Sequence, residues 1–233
     1  MNIIITGASR GIGKAIAFAF AKEGFNMAVC SKNKNNLSRF VKEIKKEFPQ
    51  IEIHALACDV SKKNEVLNFA KFVKSKFSKI DVLVNNAGIF LPGEIHKEKD
   101  EVIENLMAVN FYSAFHLTRA LIGNMLKQKS GHIFNICSTA SIEAYTDGGS
   151  YCISKHALYG FSKTLREEMK QYNIRVTSVL PGAVLTDSWR GTKLPKERFM
   201  KPEDIAHSIL GAYQLSNQTV VEEIILRPVK GDI

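Results

Sequence analysis

Short apolar runs alternate with longer amphipathic stretches from one end of the chain to the other. The runs Asn2–Thr6, Asn26–Ser31, Ile51–Ala57, Val82–Asn85, His132–Cys137, Ile174–Leu180 and Val220–Leu226 are rich in aliphatic side chains. Runs of this length and composition read as strands buried on both faces. Between them the spacing changes to that of a helix. Ile12, Ile16, Ala19 and Phe20 share one face and Gly24 supplies a stop. Further helices are predicted over 34–48, 62–77, about 100–127, around Tyr151, and over 202–215. Strand and helix alternate throughout with no internal repeat, which implies a parallel sheet covered on both faces by right-handed crossovers.

The residues that follow the predicted strands include Thr6, Ser31, Asp59, Asn85, Ser138 and Pro181. In a parallel sheet the carboxyl ends of the strands share one edge, so these positions converge on one crevice. The first strand leads into Thr6-Gly-Ala-Ser-Arg-Gly-Ile-Gly13 and then into a helix. Gly7 permits the tight turn, Gly11 the approach of a pyrophosphate to backbone N–H groups, and Gly13 close packing, with the helix N-terminus facing the anion. Tyr151 and Lys155 stand four apart on one helix face. An ammonium about 6 Å from a phenol, at an effective dielectric of about 20, favours the phenolate by roughly 3 kcal/mol, enough to lower its pKa by about two. The expectation is that Lys155 brings Tyr151 towards working range as an acid/base group.

The spacing of the glycines is GxxxGxG, and with the downstream YxxxK the chain resembles the short-chain dehydrogenase/reductase family. Asp59-Val60, Asn85-Asn-Ala-Gly88, Asn110, Ser138 thirteen residues before Tyr151, and Pro181-Gly-Ala-Val-Leu-Thr186 stand in the family's order. The resemblance spans nearly the whole chain. It implies a Rossmann-like, doubly wound α/β domain with a seven-stranded parallel sheet, formed by 1–233 as one unit. It also implies roles: Tyr151 exchanges a proton with a carbonyl or alcohol oxygen, Ser138 hydrogen-bonds that oxygen, and Lys155 holds the ribose hydroxyls. Asn110 kinks the long helix and holds a relay water. The glycine loop, Gly7, Ser9, Arg10, Gly11, Ile12 and Gly13, takes the cofactor phosphates. Asp59 and Val60 embrace the adenine, while Asn86, Ala87 and Gly88 line the cofactor channel. Pro181, Gly182, Val184 and Thr186 reach the nicotinamide end. The stretch Asp187–Met200 is a substrate lid in such proteins, and Trp189 and Phe199 are its candidate substrate contacts.

Charge bears on the cofactor. NAD selectivity in such folds needs an acid near the end of strand 2, where this chain has Ser31 followed by Lys32, with Arg10 opposite in the glycine loop. Two cations and a hydroxyl suit a 2′-phosphate, so NADP(H) is favoured over NAD(H). The expected activity is NADP(H)-dependent interconversion of a ketone or aldehyde with its alcohol. Alternatives are a 3-oxoacyl carrier-protein reductase, which lacks support in the Leu226-Arg-Pro-Val-Lys-Gly-Asp-Ile233 ending, and a non-enzymatic NAD(P)-binding sensor or scaffold.

The remaining composition narrows the partners. There are 32 Lys plus Arg against 23 Asp plus Glu, a net charge of +9, but the lysines are spread along helix faces without aromatic interleaving. A solvated surface that steers anionic ligands is expected rather than nucleic-acid binding. No segment approaches the ~20 apolar residues of a membrane span, and strand 1 begins at residue 2, so a cytoplasmic location is expected. Cys30, Cys58, Cys137 and Cys152 have no metal-ligand spacing and read as free buried thiols; no metal is expected. The helical stretch from Val102 to Leu126 carries more apolar positions than one core-facing stripe needs, which points to a homodimer or homotetramer.

Overall fold

A computed structural model of the chain describes residues 1–189 and 191–233. Seven strands form one parallel sheet: β1 (Asn2–Thr6), β2 (Asn26–Ser31), β3 (Ile53–Ala57), β4 (Val82–Asn85), β5 (Gly131–Ile136), β6 (Ile174–Pro181) and β7 (Glu223–Leu226). Their spatial order is β3-β2-β1-β4-β5-β6-β7, so the order reverses beside β1. The crossovers are α1 (Gly11–Lys22), α2 (Lys34–Glu47), α3 (Lys63–Lys76), α4 (Asp100–Met107) with α5 (Ser113–Gln128), α6 (Gly149–Met169) and α7 (Pro202–Gln214).

Alternation along each strand decides which helices lie on which face. Ile3, Ile5, Met27, Val29, Val82 and Val84 meet Ile16, Phe20, Phe40 and Ile209 of α1, α2 and α7. Ile4, Ala28, Leu83 and Ile133 meet Val66, Phe69, Leu117, Leu121 and Leu165 of α3, α5 and α6. The central strands β1, β2 and β4 are thus apolar on both sides, which is why their sequences read as unbroken runs, whereas the edge strand β7, expected to be buried on both faces, leaves Glu223 and Ile225 exposed. Phe20 is fully buried against Phe25 and Tyr213, and truncating such a ring costs about 3–5 kcal/mol.

Most element ends fall within a residue of the sequence expectation, and the larger differences have a physical reason. Strand β3 starts at Ile53, because Ile51, although buried, donates its N–H to Phe48 in a turn. Strand β7 starts at Glu223, because the Val221 carbonyl accepts from the Thr177 hydroxyl. The long helix predicted over 100–127 is divided by a π-helical turn, Ala108–Tyr112, in which the N–H of Ser113 reaches the carbonyl of Ala108. That widened turn carries Asn110 inward, where it is buried.

Candidate active site

The carboxyl edge of the sheet, beside the reversal at β1, gathers the functional side chains. The turn after β1 holds Gly7 and Gly11 at φ 66° and 54°, conformations that favour glycine. A Cβ on Gly13 would stand 2.5 Å from the Gly7 carbonyl oxygen and would also run into the Asn86 amide. Asn86 is what fixes the loop: its amide donates to the carbonyls of Thr6 (2.8 Å) and Gly7 (3.2 Å). The Thr6 hydroxyl in turn accepts from the N–H groups of Asn86 and Ala87, tying β1 to β4. The Asn86 side chain, expected to line a channel, therefore braces the glycine turn. Helix α1 then begins with no capping side chain and no acid in its first turn, which leaves its amino-terminal dipole to attract an anion.

At the end of β2, the hydroxyls of Ser9 and Ser31 are hydrogen-bonded at 2.8 Å. The two cations expected there each have a carboxylate partner: Arg10 pairs with Asp187, and Lys32 with Asp59 at 2.8 Å. Asp59 also accepts from the backbone and hydroxyl of Ser61. These contacts outweigh its partial burial and hold its carboxyl below the usual range, while the Asp59 contact raises Lys32. Val60 packs at the margin of the core on the α3 side.

Ser138 and Lys155 come from β5 and α6 and are almost fully buried; Tyr151 keeps part of its surface open. The Ser138 oxygen accepts from the N–H of Ala140, and the Ser138 side chain faces the Tyr151 phenol closely enough to oppose in part the rise of its pKa. Lys155 donates to the carbonyl of Ile136 at 2.9 Å, and its ammonium lies 5.9 Å from the centre of the Tyr151 ring. Asn110 accepts from the N–H of Ile89 (2.8 Å) and donates to the carbonyl of Ile89 (3.0 Å) and to Ser154 (2.9 Å). A Cβ on Gly88 would lie 3.3 Å from the Asn110 oxygen and 3.5 Å from the Lys155 nitrogen, so both side chains approach the backbone of the strand end at this position.

One expectation about this group is corrected. Burial pushes the Tyr151 phenol up to about 12, and Ser138 offsets this only in part. Burial also brings Lys155 down to about 8. The predicted lowering of Tyr151 by Lys155 weighed Coulomb attraction alone; the desolvation of both groups is the larger effect here.

Pro181 closes β6, and the N–H of Gly182 donates to the carbonyl of Leu226. Val184 is buried and forms an isolated bridge with Met200, so the two ends of the 184–200 segment are fastened together. Thr186 lies over the glycine turn, its methyl 3.2 Å from where a Gly11 Cβ would be. Ile12 packs against the α1 side of the core. Within the 187–200 segment, the Trp189 and Phe199 rings meet at 5.0 Å with their planes tilted by 60°, and Phe199 is buried; Arg190 of the same segment lies outside the described residues. A cavity of about 1140 Å³ between α1, α2 and α7 touches this site only at its border, through Gly11, Thr186 and Asp187. It holds none of Ser138, Tyr151 or Lys155.

A family model described as short chain dehydrogenase matches residues 1–196. The chain belongs to the short-chain dehydrogenase/reductase family. It is 36% identical to a sepiapterin reductase of Chlorobaculum tepidum, over 99% of this chain and 97% of that protein. It is 35% identical to carbonyl reductase family member 4 of Xenopus laevis, over 88% of each. Among solved structures, an alcohol dehydrogenase from Thermococcus sibiricus complexed with 5-hydroxy-NADP superposes with a TM-score of 0.90 at 30% identity, covering 98% of this chain and 96% of that one.

Membership accounts for the motifs, while the structure adds residues that the motifs did not reveal. Phe90 sets its ring edge-on to Tyr151 at 4.8 Å, and Ser154 completes the hydrogen bonds of Asn110. Ser154 is legible in retrospect as the residue three beyond Tyr151 on the same helix. Phe90 lies in an irregular segment with no periodicity, so no pattern could have marked it. Among the described residues, no group of His, Cys, Asp and Glu could hold a metal, and no helix is long and apolar enough to cross a membrane.

Proposed function

We propose that this chain is an NADP(H)-dependent oxidoreductase that interconverts a ketone or aldehyde with its alcohol, using Tyr151 as the proton donor and acceptor. The carrying observation is the assembly of Ser138, Tyr151, Lys155 and Asn110 on the sheet edge beside the glycine turn. The cofactor site fits the assignment. The Gly7–Gly13 turn leads into a helix whose amino-terminal end has no capping side chain and no acid, and the hydrogen-bonded hydroxyls of Ser9 and Ser31 adjoin Arg10 and Lys32 in sequence, with no acid at position 31. Solved relatives support the same reading, including an L-sorbose reductase of Gluconobacter frateurii complexed with NADPH and L-sorbose.

The nicotinamide supplies or accepts the hydride. The remaining chemistry belongs to the chain. With its pKa near 12, Tyr151 keeps its proton at neutral pH and is ready to donate it to a carbonyl oxygen. The Ser138 hydroxyl, its oxygen oriented by the N–H of Ala140, turns to the same point and stabilises the charge that develops there. Lys155, at about 8, is mostly protonated at pH 7; one N–H is held by Ile136 and the others remain for ribose hydroxyls and for opposing charge on Tyr151. Reduction is therefore the direction favoured at neutral pH, and oxidation, which needs the phenolate, gains as pH rises. The reading includes a cytoplasmic enzyme that pairs with further copies of itself; half-exposed Tyr112 and Ile153 support an additional covered face.

Tyr151→Phe is the direct test. The ring still packs on Phe90 while the acidic hydroxyl is lost. Reduction of a carbonyl panel with NADPH should disappear and NADPH binding should stay near wild type. Substantial residual reduction by the variant would show that another group donates the proton.

A further inference from the structure

The segment between Gly88 and α4 has no regular structure, yet it is fastened to the amino-terminal end of α6 by one side chain. Glu98 accepts from the backbone N–H of Ser150 at 3.2 Å, and its other oxygen accepts from the Ser150 hydroxyl. Ser150 is the second residue of α6 and is buried. Its N–H is one of the donors that a helix leaves without an internal partner, and Gly148 before it offers no side chain for a cap. A residue about fifty positions away in sequence therefore performs the capping.

The surroundings of that carboxylate are shaped to admit it. A Cβ on Gly93 would lie 2.9 Å from both the Cγ and the Oε1 of Glu98. A Cβ on Gly149 would stand 3.1 Å from the Glu98 carboxyl carbon and collide with the Gly93 carbonyl. Gly149 and Asp147 adopt φ of 30° and 61°, and the Asp147 carbonyl accepts from the N–H of Gly93 at 2.8 Å. Backbone strain of this kind persists only where neighbouring contacts hold it in place.

Tyr151 immediately follows Ser150. The other end of the fastened segment carries Phe90, edge-on to the Tyr151 ring, and Ile89, which Asn110 holds through both backbone groups. We infer that Glu98 is a positioning residue: it locks the first turn of α6 to the 89–98 segment and so fixes Tyr151 against the Phe90 wall on the substrate side. Its hydrogen bonds go to Ser150, and among the described residues none reaches the glycine loop or the residues at the end of β2. Its effect therefore falls on the reacting face and leaves the cofactor face alone. The inference rests on the proposed oxidoreductase reading for its consequence in turnover, whereas the locking itself is independent of it.

The test uses the full chain as wild type, Glu98→Ala, Glu98→Gln and Ser150→Ala. Hydrogen exchange should rise in segments 89–98 and 145–153 of Glu98→Ala and stay unchanged over 1–30. With 2,3-butanedione and NADPH as the probe, kcat/KM should fall about tenfold, because small misplacement of a reacting group is costly. The NADPH Kd should remain within about twofold of wild type, which separates this loss from general damage. Gln keeps an acceptor for Ser150 and should recover most of the activity; Ser150→Ala should be intermediate, and combined with Glu98→Ala should add little. Unchanged exchange in the two segments, parallel loss of NADPH affinity, or Gln as impaired as Ala would each overturn the inference. A wild type without turnover on any carbonyl probe would sink the oxidoreductase reading, while the exchange data would still decide the lock.

Discussion

Lys155→Met separates what the buried ammonium does for chemistry from what it costs the fold. Lys155 is nearly enclosed and burial holds it at about 8, against an ordinary value of 10.5. At roughly 1.4 kcal/mol per pKa unit, this corresponds to about 3 kcal/mol of destabilisation at neutral pH. Methionine keeps the methylene packing but leaves the Ile136 carbonyl without its donor, which returns about 1 kcal/mol or more. The expected net result is an inactive variant that is more stable than wild type by about 1–2 kcal/mol at pH 7. The pH dependence has a definite sign. Below pH 8 both folded and unfolded wild type carry the proton, so the gap is constant. Between 8 and 10.5 the unfolded chain binds more protons than the folded one, and wild-type stability rises. Wild type gains about 2.5 kcal/mol by pH 10, so the gap should close over that interval and then reverse. Urea unfolding of both proteins at pH 7 and at pH 10 measures it. A variant less stable than wild type at pH 7, or a gap that is the same at both pH values, would refute the desolvation argument.

Three further outcomes follow from particular contacts. Ser31→Asp breaks the hydroxyl pair with Ser9 and places a carboxylate where a 2′-phosphate is proposed; the ratio of kcat/KM for NADPH over NADH should fall below one, and a wild type indifferent to the phosphate would remove the basis of the assignment. Trp189→Ala removes the ring packed at a tilt against Phe199 and should reorder substrates in a ketone panel by about 1–3 kcal/mol while leaving NADPH affinity alone. The fully buried His132 is held neutral down to about 2 by burial and by nearby Arg175. Below pH 6.5 the unfolded chain takes up a proton that the folded chain refuses, so stability should fall by about 1.4 kcal/mol per pH unit, and His132→Phe should flatten that slope in urea titrations between pH 7 and 5.

The order of strands and helices was legible because burial on both faces imposes continuous apolar runs, and helices beside them impose a period near four. The glycine turn was legible for a similar reason: Gly7 and Gly11 occupy backbone conformations that side chains avoid, and Gly13 has no room for a Cβ. Such constraints act on the residue itself, so they leave a trace in the sequence. Ends of elements were less legible, since Ile51 is as apolar as a strand residue but spends its N–H on a turn. The register of the Asn110 turn was beyond any local pattern, because an inserted residue in a helix changes hydrogen bonding without changing composition.

What the sequence determined by itself was the layered α/β architecture, the shared edge and the candidate residues that gather there. What only the tertiary structure decided was their state and their support. Spacing alone put a cation near Tyr151 and implied a lowered pKa; the enclosure of both groups reverses the direction, because desolvation depends on every atom packed around them. Arg10 and Lys32 read as available cations until folding brought Asp187 and Asp59 to them. Asn86, Phe90 and Glu98 hold their positions through partners 52 to 80 residues away, and contacts at that range belong to the packed chain rather than to any segment of it.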